Sequence, residues 1–172
     1  QPADRGALTL ADGTVLHVTD VHETGGVIWH TVDALPEAAQ PGTAVTGAID
    51  WAWRFDKMQQ HTGEHILSGI LHQMFGAENV GFHIGSDAVR MDTSVPISAE
   101  GLREAETAAN RIIWENVPVS ITYPTREELA ALTYRSKKEI EGQVRIVTIP
   151  GADVCACCGT HTRTTGQVGQ IK

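Results

Sequence analysis

Apolar positions in the first fifty residues fall in short runs, ALTL, TVLHVTDV and GVIWHTV, rich in Val, Ile and Thr. That composition favours strands. The runs are separated by Asp12-Gly13 and Gly25-Gly26, which supply the positive φ that two-residue hairpins require. Residues 7–50 are therefore predicted to be all-β, a small meander or barrel ending near Gly47. The chain opens inside a near-complete strand pattern, so a further strand is expected upstream of Gln1.

From residue 54 the period changes. Met58, Ile66, Ile70 and Met74 recur at helical spacing, Leu67 and Leu71 widen the stripe, and Gly76 is a natural stop, predicting a helix over 54–75. NVGFHIG and AVRMDTSV read as strands joined by a turn at Ser86-Asp87. Ser98 is placed to cap a second helix from Ala99 to Asn116, with Leu102, Ala105, Ala109, Ile112 and Ile113 as its buried stripe and Pro118 marking its end. VSITY is a predicted strand, 125–132 a short helix and VRIVTI a strand. VCACCGTHTRT is read as a turn followed by a strand, and QVGQIK closes the pattern. With too few βαβ units for a doubly wound sheet, the expected fold is α+β: a β region over 1–50, then a two-layer domain over 51–172 with helices on one face of a mostly antiparallel sheet.

Composition sets limits on function. At 172 residues, 41% hydrophobic and 20% charged, the chain has the make-up of an ordinary folded protein. No apolar stretch approaches the ~20 residues of a membrane span, and no signal peptide is visible, so a cytoplasmic location is expected. The formal charge of −8 argues against a protein that grips nucleic acid over its whole surface. The charge is uneven. Residues 1–117 hold 6 Lys/Arg against 16 Asp/Glu, whereas residues 118–172 hold 7 against 5. A polyanion should therefore meet the C-terminal third, where Arg135, Lys137 and Lys138 form the densest basic run, with Arg126 and Arg163 nearby.

The residues richest in chemistry form two clips. HTGEH places His61 and His65 one helical turn apart on one face, and CCGTH spaces Cys157 and His161 by the same three residues. Three imidazoles and one thiolate suit a divalent zinc ion. The three cysteines, Cys155, Cys157 and Cys158, lie within four residues, a poor disulfide framework and a better source of a single thiolate ligand. HTGEH also fits the H-x-x-E-H pattern of inverted zinc peptidases, with Glu64 activating water and Glu128, Glu139 or Glu141 as third ligand. That reading leaves CCGTH without a role.

The pair HTGEH and CCGTH resembles the HxxxH and CxxxH signatures of the alanyl-tRNA editing domain. The likeness extends through QPADRG, FDKMQQHTGEHILSG, VGFHIGSDAVRMD and VRIVTIPGADVCACCGTH, in the family's order, and covers nearly the whole chain. The resemblance implies a freestanding editing hydrolase acting on mischarged tRNA for alanine, with serine as the principal wrong amino acid and glycine also acceptable. By position it implies His61, His65, Cys157 and His161 as zinc ligands and a metal-bound water as the attacking species. Four protein ligands would close a tetrahedral shell, so one is loose or another group handles the water. Glu64 is the candidate for proton transfer. Gln60 and His83 are candidates for contact with the aminoacyl group. Asp153 and Thr160 are expected to orient the ligands by hydrogen bonds from behind, with Thr160 also a candidate substrate contact. The same site without catalysis would make a zinc-stabilised tRNA-binding module. One departure stands out: the family's C-G-G-T-H has its first glycine replaced by Cys158.

Overall fold

The computed structural model describes residues 2–85, 88–136 and 142–172. The chain divides into two compact units, Pro2–Lys57 and Met58–Lys172.

In the first unit β1 (Gly6–Leu10), β2 (Val15–Thr24), β3 (Val27–Val32) and β4 (Val45–Ile49) form one antiparallel sheet in the order β3-β2-β1-β4. Gly13, Gly25 and Gly26 take the positive φ that the two hairpins need. The sheet is open, and the barrel alternative fails. Leu10, Leu16 and Val18 are its buried apolar side chains, while β3 and β4 are exposed almost residue by residue, so the sheet has no interior to close around. Asp50 then starts a helix: its carboxylate accepts from Trp53 N (3.1 Å) and its carbonyl from Arg54 N (3.0 Å). This cap sets the beginning of α1 (Trp51–Phe75), three residues before the predicted start at residue 54. Trp53 in turn donates to Ala3 O and carries Arg5 over its ring, and Arg54 pairs with Asp4.

In the second unit α1 buries Ile66, Ile70 and Leu71. A hairpin of β5 (Asn79–Ile84) and β6 (Val89–Thr93) follows. Its expected Ser86-Asp87 turn lies outside the described residues. Ser98 caps α2 (Ala99–Glu115) by accepting from Gly101 N, and Asn116 ends the helix in the left-handed region. β7 (Ser120–Thr122), β8 (Ile146–Ile149) and β9 (Asp153–Ala156) make a three-stranded antiparallel sheet, and Thr125 and Glu128 form a capping box on α3 (Arg126–Ala131). The fold is therefore α+β with antiparallel pairing among the described strands.

Ile66, Ile70 and Leu71 of α1 meet Ala105, Ala109 and Ile113 of α2, with Ile149 and Ala152. Gly69 allows this closeness, because a Cβ there would overlap the carbonyl of Ala152. Three residues of the predicted stripes, Met58, Met74 and Leu102, lie outside the core cluster. Met74 is 40% exposed and Leu102 49%, because at that level the contact is made by their neighbours, Phe75 against the buried Gly101. The C-terminal pattern also differs. The strand β9 precedes the CCGTH turn, and a 3₁₀ turn over Thr165–Val168 follows it. The last residues attach to α2 through Asn110, whose buried amide donates to Ile171 O (2.7 Å) and accepts from Ile171 N (3.0 Å).

Ile66→Ala should lower the unfolding free energy by about 2–5 kcal/mol, because the fully buried site cannot collapse around the cavity. Leu102→Ala should cost under about 1 kcal/mol. Urea unfolding of the two variants measures the difference, and equal losses would mean that the two helices share a different face from the one described.

Candidate metal centre

The middle of α1 and the turn after β9 supply the four donors. His61 and His65 point from one face of the helix, and Cys157 and His161 bracket the turn. Their ligand atoms all lie within 4.8 Å of one another, and the three histidines are buried. A tetrahedral ion with bonds of about 2.0–2.3 Å separates its ligands by about 3.3–3.8 Å, so shifts on the order of 1 Å would close the set.

Each imidazole is held from behind. His61 Nδ1 donates to the carbonyl of Thr160 (3.1 Å), and His65 Nδ1 donates to Asp153 Oδ2 (2.8 Å). His161 Nδ1 lies 3.4 Å from Thr62 Oγ1, which also accepts from Thr162 N (3.0 Å). A carbonyl or carboxylate only accepts, so on His61 and His65 a hydrogen sits on Nδ1, which leaves Nε2 as the ring nitrogen available to an ion. Those Nε2 atoms face one another and the thiolate. His61 Nε2 is 3.5 Å from Cys157 Sγ, and His161 Nε2 is buried with no hydrogen-bond partner. An orphaned buried nitrogen beside a thiolate is costly as it stands and is satisfied by a cation. The residues fit a metal ion of the soft-to-borderline class.

The electrostatics agree. Burial would raise the Cys157 thiol, but the imidazoles of His161, His61 and His65 outweigh it and hold its pKa down to about 3. Burial pulls His161 down, to about 4, so it is neutral. Burial also pulls on His65, but Asp153, Cys157 and Glu64 overcome it and raise that pKa to about 9. Burial, with the Asp153 charge, pushes the Cys155 thiol up to about 12. Cys155 is thus a buried neutral thiol, and Cys158 is exposed.

The turn itself is shaped to fit. A Cβ on Gly159 would overlap the His61 ring, so the close approach required of the motif is made at Gly159. Cys158, which replaces the neighbouring glycine, faces solvent and leaves that approach intact. Arg145 Nη1 donates to Cys157 O (2.5 Å) and Gly159 O (2.9 Å), clamping the turn. Sequence reasoning missed this role, since Arg145 lies inside a strand-like run with no motif around it.

Other expected site residues divide. Glu64 is buried, accepts a short hydrogen bond from Asn79 Nδ2, and places Oε2 3.9 Å from His65 Nε2. Gln60 is half-buried beside His61. Thr160 contributes its carbonyl, and Asp153 sits behind His65. His83 does not face the cluster. It is exposed on β5, whose two-residue alternation turns Phe82 inward instead, to stack on His61 at 6.2 Å between centroids. Arg135 is also placed differently from its expected role on RNA: its guanidinium holds Asp153 at 2.8 and 2.9 Å. Lys137 and Lys138 lie outside the described residues. Of the third-ligand candidates in the peptidase reading, Glu128 caps α3, and Cys157 and His161 complete the cluster instead; Glu139 and Glu141 are outside the described residues. Among the described residues no helix is long and apolar enough to cross a membrane.

Residues 144–172 match the family described as threonyl and alanyl tRNA synthetase second additional domain. The whole chain aligns at 34% identity with alanyl-tRNA editing protein AlaX-L of Pyrococcus horikoshii, covering 43% of that protein. It aligns at 37% with the alanine–tRNA ligase of Pyrococcus furiosus, covering 20%. It aligns at 34% with alanyl-tRNA editing protein AlaX-M of Methanosarcina acetivorans, covering 75%. The chain thus spans less than half the length of the first two relatives and three quarters of the third.

Metal binding should release a proton. Cys157 and His161 are already in their binding forms at neutral pH, whereas His65 must lose the proton that its raised pKa retains. Acid favours the charged imidazole and so opposes the ion. Zinc affinity should fall about tenfold per unit as the pH drops from about 8 to 6. Calorimetric titration in buffers of different ionisation heat reads the protons released, and a pH-independent affinity would show that His65 is neutral before the ion arrives.

Proposed function

The chain belongs to the alanyl-tRNA editing family, and from that premise we propose that it hydrolyses the ester joining a wrong amino acid to the tRNA for alanine, acting in trans at a zinc ion. His61, His65, Cys157 and His161 would hold the ion. The observation that carries the reading is the inward turn of the imidazoles: each Nδ1 is occupied by a partner, and the Nε2 atoms are left facing a thiolate. Such a shell suits a cation. Three nitrogens and one sulfur within 4.8 Å of one another favour zinc over a hard, oxygen-seeking ion.

When bound there, zinc supplies a positive charge that polarises the ester and eases loss of a proton from water. The chain's own groups do the rest. Glu64, oriented by Asn79, is the acceptor for the proton of the attacking water. The water oxygen bonds to the ester carbon, the bond to the ribose oxygen breaks, and the proton returns to that leaving oxygen. Gln60 and the backbone at Thr160 are the candidates for holding the aminoacyl group. Arg126 and Arg163, exposed beyond position 118, are the candidates for meeting the phosphates.

The chemistry also accounts for the need. A synthetic pocket sized for alanine rejects poorly an amino acid that adds a hydroxyl or lacks a methyl. A second, hydrolytic pocket with polar groups gives serine a partner for its hydroxyl and leaves those groups unpaired when alanine enters.

A deacylation assay with tRNA for alanine charged with serine, glycine or alanine tests the assignment. The seryl ester should be cleaved, the alanyl ester spared, and chelation should abolish cleavage until zinc is restored. Equal rates on both esters would overturn the proposal, and so would zinc-loaded protein that binds the tRNA but leaves the ester intact. Glu64→Gln should lower kcat by about 10²-fold with one zinc still bound. A rate within twofold of the wild type would remove Glu64 from the mechanism.

A further inference from the structure

The sequence offers Arg135 as part of a basic run, and the fold removes it from that role. Its backbone is bolted beside β9: Arg135 N donates to Val154 O (2.8 Å) and Ala156 N donates to Arg135 O (2.9 Å). Its guanidinium turns inward. Nε and Nη2 meet the two oxygens of Asp153, and Nη2 also donates to Ser68 Oγ at 2.7 Å. Ser68 is buried on α1, three residues beyond His65. Asp153 is buried as well, and its Oδ2 accepts from His65 Nδ1. A single side chain therefore ties the strand to the helix at the level of one candidate ligand.

We propose that Arg135 is a positioning residue for the metal centre, fixing the Asp153 carboxylate so that His65 presents Nε2 to the ion. The inference rests on the metal-centre reading given above. Asp153 alone has rotational freedom about its carboxylate. The planar fork of an arginine, gripping both oxygens, removes that freedom and fixes the direction in which Oδ2 accepts. The Ser68 contact fixes the guanidinium plane relative to the helix that carries His65. A lysine would keep the charge and lose the fork, because an ammonium group does not match both carboxylate oxygens in one plane. Residues behind metal ligands typically change metal affinity by about 10- to 100-fold.

The test uses the full chain and does not depend on hydrolysis. Zinc affinity is measured by competition with a chromophoric chelator, and the cobalt(II) form gives an absorption spectrum that reports ligand geometry. Arg135→Met should weaken zinc about 10- to 100-fold and alter the cobalt bands, with Arg135→Lys between it and the wild type. In an Asp153→Asn background the same Arg135→Met change should add less than about threefold, because the two residues act on one ligand. Binding of the zinc-loaded variant to uncharged tRNA should stay within about twofold. A folded Arg135→Met protein with wild-type zinc affinity and cobalt spectrum overturns the inference. So does a large loss of tRNA binding with zinc retained, which would make Arg135 an RNA contact. If Arg135→Met does not fold, Ser68→Ala and Arg135→Lys decide: both should weaken zinc by a smaller factor, and two unchanged affinities overturn the inference. Failure of the unsubstituted chain to take up zinc is a separate result, one that sinks the metal-centre reading and this inference with it.

Discussion

Two hydrogen bonds across about a hundred residues of sequence hold the site together. His61 Nδ1 donates to the Thr160 carbonyl, and Thr162 N donates to Thr62 Oγ1. They alternate along the two segments, helix to turn and turn to helix, and fix the CCGTH turn against one face of α1. The rest of the centre depends on this registration. It brings Cys157 Sγ beside His61 Nε2, sets His161 against Thr62, and leaves room for the ring of His61 only because residue 159 has no side chain. The apolar core of α1, α2 and β8 keeps the helix close enough for these contacts to form.

A cluster of buried polar groups costs free energy unless its charges balance. Here the balance is local. Asp153 is matched by Arg135 and His65, and burial raises its carboxyl less than those two cations lower it. The Cys157 thiolate is matched by the imidazoles around it. A divalent ion would replace the proton of His65 and neutralise both the thiolate and the influence of Glu64 on the same small volume. The arrangement explains why the donors converge in a folded chain even though each, alone, would prefer water.

Much of this was legible in the order of residues. Period-two runs and Gly-rich turns marked the N-terminal sheet, and helical spacing marked α1 and α2, because those patterns act within a few residues. HxxxH and CxxxH marked the donors, because ligand spacing on one helix turn or one tight turn is also local. What was missed shares a cause. Leu102 and Met74 fit their stripes, but the neighbouring Gly101 and Phe75 make the contact between the helices there. His83 and Phe82 are neighbours, and only the pairing of β5 decides which one faces the histidines. Arg135 looked like part of a basic run because a list of charges does not show where a side chain points. The strand at 153–156 was misplaced because the same few residues also carry the turn chemistry.

The sequence by itself determined the donor types, their spacing within each clip, the antiparallel α+β class and the family. Those follow from local geometry and from residue chemistry that does not depend on distant partners. Tertiary structure alone decided that the two clips meet, which nitrogen of each histidine faces inward, that Arg145 clamps the turn, and that Arg135 grips Asp153 behind His65. Such contacts join residues far apart along the chain, and the free energy that selects them comes from packing and from pairing buried charges, which no single stretch of residues contains.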